Sequence, residues 1–108
     1  MSTSFDMIHA AINDRINNPN ALNYPEPWWR KEIEVLTSDL DTAICFIQRE
    51  CTDEELFWMS EIFDDMIQKT RSAELLTSLG KRVEDVQDEK QRAEIINCIE
   101  EASLLLKT

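Results

Sequence analysis

Glycine and proline are scarce in this chain of 108 residues, which contains one glycine and three prolines. Folds built only from β-strands need many turns, and turns commonly use these two residues. The scarcity therefore favours helices. A single glycine also excludes the glycine-rich loops that cradle phosphates, because those loops need at least two glycines at a fixed spacing.

Histidine occurs only once, and the sequence contains no Glu-x-x-His pair, no zinc-ligand spacing and no calcium-loop pattern. A Ser-His-Asp or Cys-His catalytic group would have to use His9, for which we expect a hydrogen-bonded packing role instead. We therefore expect no enzymatic activity, no cofactor and no metal site. A small enzyme or metal carrier that uses Asp64, Asp65 and His9 remains an alternative.

The three cysteines form no Cys-x-x-Cys pair. Cys45 and Cys98 fall within apolar helical patterns, which predicts buried thiols in a reducing compartment. The N-terminal residues lack the basic region and apolar run of a signal peptide. No stretch approaches the roughly 18 uninterrupted apolar residues of a membrane-spanning helix. We expect a soluble, cytoplasmic protein with no membrane partner.

Acidic residues outnumber basic ones by 22 to 11, which gives a formal net charge of −11. Direct binding to nucleic acid depends on basic residues that contact phosphates, so this charge argues against it. The negative charge favours a basic protein partner. Long-range attraction would accelerate the encounter of such a partner with this chain. The alternative is that the charge only keeps the protein soluble.

Apolar residues recur at helical spacing along most of the chain, and capping residues separate the repeats. They predict an all-α fold, a compact single-domain bundle of five or six helices covering residues 1–108. The loop at 18–27 is the one clear break. We expect Gly80 to allow close packing of another helix or to end its own helix, and we expect the last helix to pack between others. The expected helices span 3–17, a short segment beginning at Pro27, about 40–51, 52–70, about 73–86 and about 89–106.

The stretch 52–70 has the most informative pattern. Thr52 and Glu55 match a capping box, in which each side chain bonds the backbone of the other residue. One face of the helix is apolar, and we expect the acidic side chains to lie on exposed faces. The opposite face is acidic and is bordered by two large aromatic residues, which is unusual for a merely solvated surface. We predict a partner-binding surface made of Glu54, Phe57, Trp58, Glu61, Asp64 and Asp65.

The alternative for this stretch is that Phe57 and Trp58 pack under a neighbouring helix while the acids are only solvated. Similarly, the paired Trp28 and Trp29 are expected to anchor a small core more than to bind a ligand.

The segment ECTDEELFWMSEIFDDMIQKTRS, residues 50–72, resembles the small helical immunity proteins of bacterial contact-dependent growth inhibition and related polymorphic toxin systems. The likeness covers residues 26–106 in general character and 50–79 in anything like a motif. The helical immunity proteins of nuclease colicins use a pair of tyrosines at their interface. This chain has only Tyr24, so that family is not matched and its contact residues are not transferred.

The resemblance implies a cognate toxin, often a basic nuclease, that is bound and silenced in the cytoplasm. We therefore expect an immunity protein that neutralises a basic toxin, such as a ribonuclease or tRNA nuclease. The alternative is an acidic helical adaptor or regulator that binds another protein. A homodimer formed through apolar surface of the second or last helix also remains open.

Overall fold

Most helices begin at a residue whose side chain accepts a hydrogen bond from a free backbone N–H group in the first turn. The computed structural model describes residues 4–107. The caps are Ser4, Asp39, Thr52, Ser72 and Asp88, with distances of 2.9–3.2 Å to the bonded nitrogen atoms. The α-helices are α1 (Phe5–Asn17), α2 (Glu26–Ser38), α3 (Leu40–Arg49), α4 (Asp53–Met59), α5 (Phe63–Thr70), α6 (Ala73–Val83) and α7 (Glu89–Ser103); the 3₁₀ segments are Pro19–Leu22, Ser60–Ile62 and Leu104–Lys107.

The fold is all-α, as the sequence predicts. Helices α4 and α5 and the 3₁₀ segment between them form a continuous run, residues 53–70. With this run counted once, residues 4–107 form six helices and no strand. The radius of gyration is 12.9 Å, which agrees with the roughly 13 Å expected for one compact domain of this length.

The loop predicted at 18–27 is shorter in the structure and partly helical. The side chain of Asn18 accepts a hydrogen bond from the backbone of Asn20, which starts the 3₁₀ turn Pro19–Leu22. Helix α2 then begins at Glu26, one residue before the predicted start. Pro27 lies in the first turn, where its missing N–H group costs nothing.

The run 53–70 supplies the centre of the core. The predicted apolar face of this run is confirmed, because the six apolar side chains that form it, named at the end of this paragraph, are fully buried. Helix α1 packs on α2, α3 packs on α6, and α7 packs on both α5 and α6. The buried face of the run consists of Leu56, Met59, Ile62, Phe63, Met66 and Ile67.

Helix α7 packs against α4, α5 and α6, but its other side stays open to solvent, so it is less buried than its apolar content predicts. Ile95 and Ala102 are buried, but Ile96 is 39% exposed, and Cys98 and Ile99 are only partly buried. Successive residues of a helix point about 100° apart, so neighbouring apolar residues cannot all face one core. The outer side of α7 is therefore a mixed apolar and acidic surface.

Two further predictions are wrong for identifiable reasons. Cys45 is exposed, because it lies about 160° around α3 from Ile47 at the centre of the apolar face. Cys98 is half-buried, and the fully sheltered thiol is that of Cys51. Gly80 lies inside α6, and a Cβ atom built there would meet no side chain and no other helix within 4 Å, its two chain neighbours aside. No helix packs closely on this glycine.

The first turn of α4 is tied to α1 by a buried carboxylate. Glu55 is 3% exposed, and its Oε1 accepts from the backbone of Thr52, which completes the predicted capping box. Its Oε2 accepts from His9 Nδ1 at 2.6 Å and from Asn13 Nδ2 at 2.9 Å. His9 is therefore the hydrogen-bonded packing histidine that the sequence predicts.

The same turn is also tied to α6. Asp53 accepts from the guanidinium of Arg82 at 2.8 Å and from the backbone of Gln87 at 3.0 Å. Arg82 additionally donates to the carbonyl of Cys51 at 2.9 Å. The bonds from Gln87 and Arg82 hold the pKa of Asp53 below its ordinary value. Two helices distant in the sequence thus meet at the start of α4.

None of the helices in residues 4–107 combines the length and apolar composition that crossing a bilayer requires.

Candidate functional site

The six residues predicted to bind a partner lie on one continuous run, but they do not form a single strip. Glu54, Asp64 and Asp65 are exposed. The other three, Phe57, Trp58 and Glu61, are partly buried. The predicted surface is therefore divided between residues that face solvent and residues that contact neighbouring helices.

The 3₁₀ segment Ser60–Ile62 separates the predicted residues of α4 from those of α5. A 3₁₀ helix has about 3.0 residues per turn instead of 3.6, so it rotates the residues that follow it relative to a continuous α-helix. Asp65 lies in a cleft with residues of α2. Asp64 lies near enough to α7 for its carboxylate to act on the Cys98 thiol. The prediction of one acidic face extending from α4 through α5 is thus wrong.

Glu61 turns toward the interior of the protein. Its Oε1 accepts from Nη2 of Arg15 at 2.9 Å, and the Arg15 side chain is 7% exposed. The guanidinium carbon of Arg15 lies 4.8 Å from the centre of the Trp58 ring, within the range of a cation–π interaction. Carboxylate and indole together hold one guanidinium group. Glu61 Oε2 has no hydrogen-bond partner within residues 4–107.

Phe57 and Trp58 are neither fully exposed nor fully buried. Phe57 packs against the core with part of its ring, and the two rings meet edge to face with their centres 6.3 Å apart. Both remain only partly buried and line the same concavity. Since each ring is supported from behind, neither has to be ordered when a partner binds, which lowers the cost of binding.

This concavity, the α4–α7 cleft, has a volume of about 290 Å³ and is open to solvent. Acidic, aromatic and sulfur-containing side chains line it, and the described lining includes no lysine or arginine. Glu101, Asp64 and Glu94 all lie close enough to act on Cys98, whose pKa is raised chiefly by burial. The cleft is lined by Phe57, Trp58, Ser60, Glu61, Glu94 and Cys98.

A larger cleft of about 510 Å³ lies between α2 and α5, and Trp29 forms one of its walls. Its charges are mixed, because Arg30 and Lys69 accompany its three acidic residues, one of which is Asp65. Neighbouring charges of opposite sign weaken its attraction for either kind of ion. The α4–α7 cleft is smaller but has charge of one sign only.

Trp28 and Trp29 have different surroundings. Trp29 packs against the core, as predicted for an anchoring residue. Trp28 donates from its indole to Asp14 near the surface at a distance of 3.1 Å. The core-anchoring prediction therefore holds for Trp29, and Trp28 instead connects α2 to α1.

Behind Arg15 lies a carboxyl group that the sequence analysis missed. Glu32 of α2 is 0% exposed, and neither of its oxygen atoms has a hydrogen-bond partner within the described chain. Burial raises its pKa from 4.5 to about 8, and the Glu61 carboxylate adds to the shift while Arg15 opposes it. This shift favours the protonated form of Glu32 at neutral pH. Glu32 also corrects the expectation that all acidic side chains lie on exposed faces, as does Glu55.

The residues of the alternative metal or catalytic site are not brought together. His9 bonds Glu55 and, at 3.1 Å, Glu50, instead of meeting Asp64 and Asp65. Glu55 and Glu50 raise the pKa of His9 because they stabilise its protonated form, and the effect of Glu55 is the larger. Throughout residues 4–107, no three His, Cys, Asp or Glu side chains are grouped so that they could hold a metal ion.

No protein-family model matches this sequence, and comparisons with curated proteins and with solved structures likewise give no match. The function has to be argued from the site itself, since an all-α fold alone implies none.

Proposed function

We propose that this protein is an immunity protein that binds a basic toxin and silences it. The observation that carries the proposal is the α4–α7 cleft, where Phe57 and Trp58 form walls beside carboxylates with no described basic residue in the lining. Interfaces often depend on a few large aromatic residues in a polar surround. The resemblance of residues 50–72 to helical immunity proteins supports the same function.

The exposed acids around the cleft supply the long-range part of binding. Glu54 and Asp64 are exposed on the run that carries Trp58, and Glu94 and Glu101 extend the negative surface along α7. Together with a net charge of −11, they attract a basic protein and accelerate its encounter. Carboxylates docked on a nuclease occupy the positions of substrate phosphates, which would cover its active site or substrate groove.

The decisive experiment uses the protein encoded immediately upstream of this chain as the candidate toxin. We expect it to stop growth when produced alone and to be harmless when this chain is produced with it. Affinity should be measured over a series of salt concentrations for the purified pair. The double variant Asp64→Lys, Glu94→Lys should weaken binding by about tenfold or more and reduce its salt dependence.

A matched control is the double variant Glu84→Lys, Asp85→Lys, which changes the net charge equally on exposed residues beyond α6. It should reduce the association rate slightly and leave the dissociation rate unchanged. Equal losses in both double variants would contradict a binding surface at the cleft. A harmless upstream protein that nevertheless binds the cleft would favour the adaptor function instead.

A further inference from the structure

The inner side of the α4–α7 cleft already shows which chemical group its side chains hold. Arg15 presents its guanidinium to Trp58 at 4.8 Å and donates to Glu61 at 2.9 Å. A planar guanidinium suits this arrangement because it can stack on an indole while it donates to a carboxylate in its own plane. Arg15 bonds one oxygen atom of Glu61, and the other oxygen is buried without a described partner, so neither is open to a group that enters from solvent.

The outer side of the cleft offers the same kinds of group. Trp58 and Glu61 both line it, and Glu94 supplies a second, exposed carboxylate. Since Arg15 neutralises Glu61, the unneutralised charge comes from Glu94, Asp64 and Glu101, the three acids that act on Cys98. The electrostatic field in the cleft therefore favours a cation. Its walls are aromatic, which favours a weakly hydrated cation over a strongly hydrated one.

We propose that the α4–α7 cleft receives the guanidinium group of one arginine side chain of the basic partner, stacked beside Trp58 and paired with the exposed carboxylate of Glu94. The partner is the one proposed above, so the inference rests on that function and adds the chemical group that the cleft recognises. Lysine fits less well, because an ammonium group is strongly hydrated and cannot form two parallel hydrogen bonds with a carboxylate.

Cys98 makes the cleft testable without the partner. Two variants are needed. Cys45→Ser leaves Cys98 as the accessible thiol, and Cys98→Ser leaves Cys45 as the accessible thiol. Cys51 is buried in both proteins. Each is treated with a cationic and an anionic methanethiosulfonate, the trimethylammonioethyl and sulfonatoethyl reagents. Cys45 is a suitable reference because the exposed side chains one turn away, Asp41 and Arg49, have opposite charges.

We expect the ratio of cationic to anionic reaction rates to be about tenfold higher at Cys98 than at Cys45. Glu94→Gln should lower the ratio at Cys98 by several-fold. Glu100→Gln, on the same helix but beside Gly80 in a different cleft, should leave it nearly unchanged. All of these residues are at least partly exposed, so the variants should fold. Equal ratios at the two thiols would overturn the proposal.

The guanidinium preference is tested by protection of Cys98 from a neutral methanethiosulfonate. Ethylguanidinium chloride should slow the reaction more than ethylammonium chloride at equal ionic strength, and Trp58→Leu should remove the difference. Equal protection by both salts would overturn the assignment to arginine. If guanidinium protects Cys98 but no toxin binds, the cleft assignment stands and the immunity function is refuted. If a toxin binds but guanidinium gives no protection, the immunity function stands and the cleft assignment is refuted.

Discussion

Glu32 provides the sharpest test of the interior described above, because its carboxyl group is fully buried without a hydrogen-bond partner in the described chain. The charged groups that act on it are Arg15 of α1 and Glu61 of the 3₁₀ segment. Helix α5 also packs on α2, but its charged Asp65 and Lys69 are exposed. We expect Glu32→Gln to stabilise the protein at neutral pH, since glutamine has a similar shape and cannot ionise.

The magnitude follows from the pKa of Glu32, which is 4.5 as an ordinary carboxyl and about 8 in the folded protein. Below pH 4.5 both states hold the proton, and the wild-type protein keeps its full stability. As the pH rises toward 8, only the unfolded state releases the proton, so folding becomes less favourable. This linkage costs the wild type about 1 kcal/mol at pH 5 and about 3 kcal/mol at pH 7. The variant has no such cost.

Urea unfolding from pH 5 to pH 8 measures the effect as a difference between the two proteins, so other titrating groups cancel. The advantage of Glu32→Gln should grow by about 2.5 kcal/mol between pH 5 and pH 7. Glu34→Gln is the matched control, because Glu34 is exposed on the same helix, and its difference should stay flat. If the Glu32→Gln difference is also flat, Glu32 titrates as an ordinary carboxyl and the described interior is wrong.

Three further outcomes are expected. Gly80→Ala should raise the free energy of unfolding by about 1 kcal/mol, because the added methyl group meets no side chain and no other helix within 4 Å, its two chain neighbours aside; a loss of stability in urea unfolding would contradict the open surroundings. His9→Gln should destabilise the protein most below pH 6.5, and the effect should fade as the pH rises through the raised pKa of His9; unfolding curves with a pH-independent difference would exclude the ion pairs. At pH 8 iodoacetamide should modify Cys45 readily and Cys51 on the order of 100-fold more slowly. The reason is that burial raises the pKa of Cys51 to about 11. Equal modification rates in mass spectrometry would refute the sheltered position of Cys51.

The sequence was sufficient for the helices and for the apolar face of residues 53–70. Those features depend on local spacing and capping, which a single chain displays directly. The break at Ser60–Ile62 could not be predicted in the same way. Glu61 of this segment pairs with Arg15, which lies 46 positions away, and local spacing cannot reveal such a contact. That pairing turns Glu61 away from the predicted acidic face.

The buried polar group of Arg15, Glu61 and Glu32 could have been recognised from the sequence. Glu32 lies about 60° around its helix from Trp29, within the width of an apolar face. Arg15 lies at a similar angle from Ile12. A charged residue inside an apolar stripe indicates a buried polar contact. The helical spacing therefore contained a signal for the Arg15–Glu61–Glu32 group, although it could not show which residues would pair.

The first turn of α4 also determines how the protein opens. Its carboxylates reach 46 positions back along the chain to His9 and 29 positions forward to Arg82. We therefore expect α4 to open together with α1 and α6, because melting its first turn breaks contacts with both helices. Amide protons of α4 should exchange with solvent through unfolding of the whole domain, whereas those of Leu104–Lys107 should exchange by local fraying. If they do, a short helix in the middle of the chain couples the unfolding of its two halves.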